Sequence, residues 1–295
     1  MISTILKART IAITTVSPDG RLLAASDDYN YLYIVDIETG TLLFEKELDY
    51  DLESLHFDRT GKRLFLNDGI VVKVYSILDF TEISLPAIQE FDDPTGLKFL
   101  DSQPSGEVLL FLPVNGRIYH LDPLGEKCHP IAFIPYDSVS GKYLGQEFNK
   151  LILSASDYSP RITILNLEGD VLLQKVFPVT EWEEGELLSI ALNGRHSLLQ
   201  NSFLIIRDAR LNELSKWQLS KVTPRHLCAI SPNMDIFGII EDKGVQLFDA
   251  RTGQKQDFIP TSSYGPSNII FFEKDKIINL ICSMIDGEVL LLPLI

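Results

Sequence analysis

Apolar residues along this chain fall in short runs, many of them β-branched or aromatic, broken at regular intervals by Asp, Asn, Gly, Pro and Ser. The opening stretch sets the cadence. Ile11 to Val16 is a β-branched run, Ser17-Pro18-Asp19-Gly20 carries Pro and Gly where a tight turn favours them, and Leu22 to Ser26 is the next run. Asp27-Asp28-Tyr29-Asn30 separates it from Tyr31 to Val35, and Asp36-Ile37-Glu38-Thr39-Gly40 turns the chain into Thr41 to Leu48. Four strands with three tight connections predict an antiparallel meander. The same alternation of runs and turns recurs over 52–88, 96–134, 142–177, 187–219 and 225–259. A last segment has three strands only, Asn268–Phe272, Lys276–Ser283 and Glu288–Leu292, while Ile2 to Lys7 stands unassigned ahead of the first unit.

The junctions between units carry a second signal. Tyr50, Phe91, Tyr136, Trp182 and Tyr264 follow one another in steps of 41, 45, 46 and 82 residues, and an acid comes directly after four of them, at Asp51, Asp92, Asp137 and Glu183. A period of about 40–45 residues is that of a β-propeller, with one four-stranded blade per period. The predicted fold is therefore all-β, a seven-bladed β-propeller of four-stranded antiparallel blades, with 1–295 as a single domain. An open ring would expose two strand edges. The last blade is accordingly expected to be closed by the N-terminal strand.

Several turns carry a family likeness. Ser17-Pro18-Asp19-Gly20-Arg21 and Ser231-Pro232-Asn233 resemble the turn after the first strand of a WD-repeat blade; Asp36-x-x-Thr39-Gly40 and Asp249-x-x-Thr252-Gly253 resemble the turn after its third strand. Asp242-Lys-Gly-Val-Gln-Leu-Phe-Asp249 matches the spacing of the third strand, with Phe248 in the usual tryptophan slot, and Asp286-Gly-Glu-Val and Asn115-Gly-Arg-Ile are similar starts. The chain thus resembles a divergent WD-repeat-like propeller. It departs from the family in lacking the Gly-His pair ahead of each first strand and the Trp-Asp dipeptide. The Asp–His–Ser–Trp network of that family cannot form, which leaves stability to apolar packing between blades.

Charge narrows the partners. The formal net charge is −15, so the average surface repels nucleic acid and anionic membranes and favours basic proteins or cations. No run reaches the 18 or so apolar residues a membrane helix needs. Lys7 and Arg9 stand where a signal peptide would need its apolar stretch, so a cytoplasmic location is expected. Cys128, Cys228 and Cys282 are odd in number and far apart, which argues for buried free thiols over disulfides or zinc.

Signals of catalysis are weak. His56, His120, His129, His196 and His226 show no metal-ligand spacing, and there is neither a Gly-x-Ser-x-Gly elbow nor a glycine-rich phosphate loop. The expectation is a non-enzyme without cofactor or metal. Two alternatives stay open: a metal-dependent, lactonase-like propeller hydrolase using channel carboxylates such as Glu53, Asp93 and Glu186, and a sensor for a small cationic ligand.

In a WD-like propeller, blade junctions and the turns between second and third strands share one face. That face would collect Asp49, Asp51, Glu53, Glu90, Asp92, Asp93, Asp137, Glu181, Glu183, Glu184 and Glu186 from the junctions, with Asp27, Asp28, Asp68, Asp157, Glu241, Asp242 and Asp286 from the turns. The opposite face would carry Arg21, Arg59, Lys62, Arg63, Arg195, Lys274 and Lys276. The candidate partner-binding set is Tyr50, Asp51, Phe91, Asp92, Asp93, Tyr136, Asp137, Trp182, Glu183, Glu184, Glu186 and Tyr264. Trp182 leads it, because tryptophan is enriched at binding hot spots. On the plainer alternative the aromatics wedge between blades and the aspartates cap turns. The implied function is a protein-interaction scaffold that binds a basic segment as a subunit of a hetero-complex.

Overall fold

Strand pairing in the computed structural model groups the chain into seven antiparallel sheets of four strands each. Described are residues 3–70, 72–89, 91, 93, 95–134, 139–144, 150–155, 161–176, 186–190, 195–200, 203–219, 227–261 and 265–294. Blade one is Ile11–Val16, Leu22–Asp27, Tyr31–Asp36 and Thr41–Glu47. Blade two begins with Ser54–Phe57, Arg63–Asn67 and Val72–Ser76; blade three is Lys98–Ser102, Val108–Leu112, Arg117–Leu121 and Cys128–Phe133. Blades four and five open at Val139–Leu144 and Glu186–Ile190, and blade six runs from Cys228–Ile230 to Lys255–Pro260.

The seventh sheet is completed from the other end of the chain. Ser3–Lys7 pairs antiparallel with Glu288–Leu294, Ser3 opposite Leu291 and Lys7 opposite Glu288, with an ion pair between Lys7 and Glu288 at 3.5 Å. The expected closure by the N-terminal strand is therefore present, and the architecture is a seven-bladed β-propeller.

Burial follows strand position within a blade. Leu22–Asp27 and Val108–Leu112 are buried at every position, whereas the fourth strands Thr41–Glu47 and Val171–Val176 are exposed almost throughout. Strands covered on both faces need continuous apolar runs rather than alternation, which is why the middle strands read as they do in sequence.

Contacts divide the chain into two compact units, 1–55 with 215–295, and 56–214. In the first, Ile240, Val245 and Leu247 of blade six pack on Ile269, Phe271 and Leu280 of blade seven, and Leu23, Tyr33 and Val35 of blade one pack on Phe272 and Ile281. Trp217 also serves this unit. Its indole Nε1 donates to the Ala250 carbonyl at 3.1 Å, and its ring lies against Gly253, where φ is +71° and a Cβ would come within 2.7 Å. In the second unit one cluster joins Phe65 and Val74 of blade two to Leu110 and Leu121 of blade three, and another joins Leu109 and Ile118 to Leu151 and Leu165.

Blade two departs from the sequence expectation. The alternation over 52–88 implies a fourth strand running from Glu82 to Ile88, but only Glu82–Ile83 pairs, and Pro86–Gln89 forms a single helical turn. Pro86 cannot donate to a ladder, and the turn buries Leu85, Ala87 and Ile88 against the core of blades two and three. The 3₁₀ turn Pro113–Asn115 is another short helical element.

Candidate partner-binding surface

Each blade has two ends, and backbone hydrogen bonds define them. At one end the turn after the third strand is tied to the turn after the first: Ile37 N–H donates to the Arg21 carbonyl, Ile77 to Lys62 and Ala250 to Asp235. At the other end the blade junctions meet the turns between second and third strands. There Leu48 donates to Asn30, Asp28 to Thr10, Gly96 to Gly69, Ile134 to Gly116 and Thr261 to Lys243. The sequence-based grouping of junctions with second-to-third-strand turns is thus present in blades one, two, three and six among the described residues.

The turn after the third strand is built on one repeated device. Asp36, Ser76, Asp122, Asn166, Asp208 and Asp249 occupy it at steps of 40, 46, 44, 42 and 41 residues, and in blade two Asp79 stands three residues further on, inside the turn. Each side chain accepts from the turn it opens: Asp36 from Thr39 N–H at 3.0 Å, Asp122 from Glu126 at 2.8 Å, Asn166 from Asp170 at 2.7 Å and Asp249 from Thr252 at 2.8 Å. Hydrogen bonds from Thr39, Ser76, Asn212 and Thr252 hold Asp36, Asp79, Asp208 and Asp249, respectively, below the ordinary aspartate range. Two of these positions were read from the sequence; the other four carry the same period.

Several cations at this end are engaged by acids. Arg21 pairs with Asp36 at 3.3 Å, Arg59 with Asp101 at 2.7 Å and Lys274 with Glu38 at 3.1 Å, while Arg251 pairs with Asp235. Arg63, expected on a basic face, is instead buried against the fully buried Asp58 at 2.8 Å, and its other nitrogens donate to the carbonyls of Gly106 and Pro123 in blade three. The expectation of a basic opposite face is corrected accordingly: ion pairing compensates much of its charge, although Lys62 and Lys276 are exposed.

At the junction end, Asp28, Asp49, Asp51, Glu53, Asp93, Asp242 and Asp286 are exposed. Asp27 is buried and structural, accepting from the N–H groups of Tyr29 and Tyr31 and from the Tyr33 hydroxyl. Asp93 combines exposure with a cap on Thr95 N–H at 3.0 Å, and Thr95 holds its carboxyl below the usual range. Tyr50 is half-buried beside exposed Asp49 and Asp51. Phe91 is turned inward, its ring centroid 4.8 Å from that of Tyr119, and packs on the core of blades two and three. Glu186 opens its strand opposite Leu199. Asp92, Tyr136, Asp137, Trp182, Glu183, Glu184 and Tyr264 lie outside the described residues, as does the side chain of Glu186.

An aromatic group at this end was not singled out in the sequence. Tyr29 is 56% exposed, with the Arg9 guanidinium 4.2 Å from its ring centroid, and the neighbouring Tyr31 hydroxyl donates to Glu47 at 3.2 Å. The signal available was a tyrosine set directly after two acids in a second-to-third-strand turn. As for metal chemistry, no group of three or more His, Cys, Asp or Glu converges among the described residues. No helix there is long and apolar enough to cross a membrane.

Neither a protein-family model nor a curated protein matches the chain. Among solved structures, the fold is similar to the β-propeller domain of Cps50 (Swd1) from Myceliophteria thermophila, with a TM-score of 0.74, 12% sequence identity and all of both chains covered. At that identity the likeness shows the fold. Matches extend to 1696 solved chains, so the fold by itself selects no partner.

Proposed function

We propose that this propeller is a non-catalytic interaction scaffold that binds a basic protein segment at the end of the blades carrying the junctions, as a subunit of a larger assembly. The observation that carries this reading is the contrast in charge between the two ends of the blades. Asp28, Asp51, Glu53, Asp93 and Asp242 are exposed at the junction end, while the arginines at the other end are largely engaged by Asp36, Asp58, Asp101 and Asp235. A net charge of −15 adds long-range attraction for a basic partner.

Carboxylates of this kind raise the rate of encounter more than they hold the complex. Affinity therefore requires aromatic anchors, and we assign that role to Trp182 first, with Tyr29 and Tyr50 beside exposed acids as further contacts. Asp92, Tyr136, Asp137, Glu183, Glu184, Glu186 and Tyr264 belong to the same proposed surface by their place in the repeat. Phe91 contributes by fixing its junction from within.

The test is affinity capture from extract of the native cell with three immobilised forms: parent, Asp51→Lys with Glu53→Lys, and Lys62→Glu with Lys276→Glu. Partners lost from the first variant and retained by the second support the assignment. Partners retained by the first variant move the site elsewhere.

A further inference from the structure

Blade three holds a pair of histidines that the scaffold reading does not use. In its outer half, Arg117–Leu121 pairs antiparallel with Cys128–Phe133, placing His120 directly opposite His129. Residues opposite one another in such a pair project to the same face of the sheet, with Cβ atoms about 4.5–5.5 Å apart. The two imidazole centroids lie 5.1 Å apart, with 61° between ring planes.

That separation has a chemical meaning. Metal–nitrogen bonds of about 2.0–2.1 Å at a tetrahedral angle put two coordinating imidazole centroids roughly 5 Å apart. The observed ring separation is the one that two ligands of a single ion require. We infer that His120 and His129 form a two-imidazole site for a divalent transition-metal ion of the zinc, nickel or copper class.

Two further observations agree. The register on both sides of the pair is fixed, with Leu109 opposite His120 on the inner side and Leu121 opposite Cys128 beside it, so the backbone is held before any ion arrives. Glu107 and Asp122 are close enough to act on His120 electrostatically, and their negative charge favours a cation there.

Cys128 is not part of the site. It adjoins His129 in the strand and so projects to the opposite face. No third His, Cys, Asp or Glu completes a cluster among the described residues, so water fills the remaining positions. An ion held this way ties the outermost strand of blade three to its neighbour.

The experiment is calorimetric titration of the full chain, stripped with chelator, against copper, nickel and zinc chlorides in turn. The expected result is one ion per chain, with copper bound most tightly, as nitrogen sites generally prefer. Losing even an outer partner of a ligand costs about 10–100-fold in affinity, so exposed His129 replaced by Ala or Gln should weaken binding at least that much. These variants should melt like the parent without metal, and saturating metal should raise the melting temperature of the parent alone. No saturable binding below about 1 mM, or equal binding by His129→Ala and the parent, overturns the assignment.

Discussion

Tyr33 donates its hydroxyl to the carboxylate of Asp27 at 2.9 Å, with both residues buried in blade one. The same carboxylate accepts the N–H groups of Tyr29 and Tyr31, so a single acid holds the whole turn between second and third strands. This bond gives blade one a polar network of its own. Hydrogen bonds to charged groups contribute about 1.5–3 kcal/mol. Tyr33→Phe should destabilise the protein by that amount in chemical unfolding; a change under about 0.5 kcal/mol would make the bond incidental.

Arg63 and Asp58 present a harsher case. Asp58 is fully buried, and Arg63 links it to the carbonyls of Gly106 and Pro123 in blade three. Removing one partner of a buried pair leaves an uncompensated charge and costs about 3–5 kcal/mol, while removing both can be nearly neutral. Arg63→Leu should therefore destabilise strongly, and adding Asp58→Asn should recover much of the loss. If the double variant is as unstable as the single, the pair matters through the backbone contacts of Arg63 instead.

Acid should unfold the protein partly through its turns. Asp36, Asp79, Asp208 and Asp249 have carboxyls lowered by hydrogen bonds that exist only in the folded chain. Because the folded value lies below the unfolded one, each stabilises the fold above the ordinary value of 3.8 and loses that contribution as pH falls through the lower folded value. Replacing all four with Asn should flatten the fall of stability below that pH, followed by circular dichroism. An unaltered acid transition would mean these bonds do not differ between the folded and unfolded chain.

How much of this was legible beforehand depended on the range of the interaction. The strands of blade one match their apolar runs to within a residue or so, because Ser17-Pro18-Asp19-Gly20 and Asp36 to Gly40 fix the turns locally. Pro86 was visible too, but the burial of Leu85, Ala87 and Ile88 on blade three was not, so a helical turn was read as a strand. Arg63 looked like a surface cation because its carbonyl partners lie 43 and 60 residues away. Phe91 kept the period of the junctions, yet periodicity cannot say whether a ring faces Tyr119 or solvent.

The N-terminal strand offers a direct check on closure. Ser3–Lys7 covers the edge of Glu288–Leu294 and buries Ile5 and Leu6 in the core shared by blades seven and one. Deleting residues 1–8 should expose that edge, lower the melting temperature and promote aggregation. An unchanged melting temperature would show that the strand adds nothing to the fold.

On the proposed reading the acidic junction end takes a basic partner, with tryptophan as anchor and carboxylates as guides. Exposed charges are screened beyond roughly 8 Å at physiological salt, so anchor and guides should separate in kinetics. The decisive measurement is the association and dissociation rate of the captured partner on parent, Trp182→Ala, and Glu183→Lys with Glu184→Lys, across a range of salt. Trp182→Ala should dissociate faster with little change in association, while the charge reversal should associate more slowly and lose its salt dependence. Binding of both variants at the parent's rates would contradict the account and place the partner on another surface.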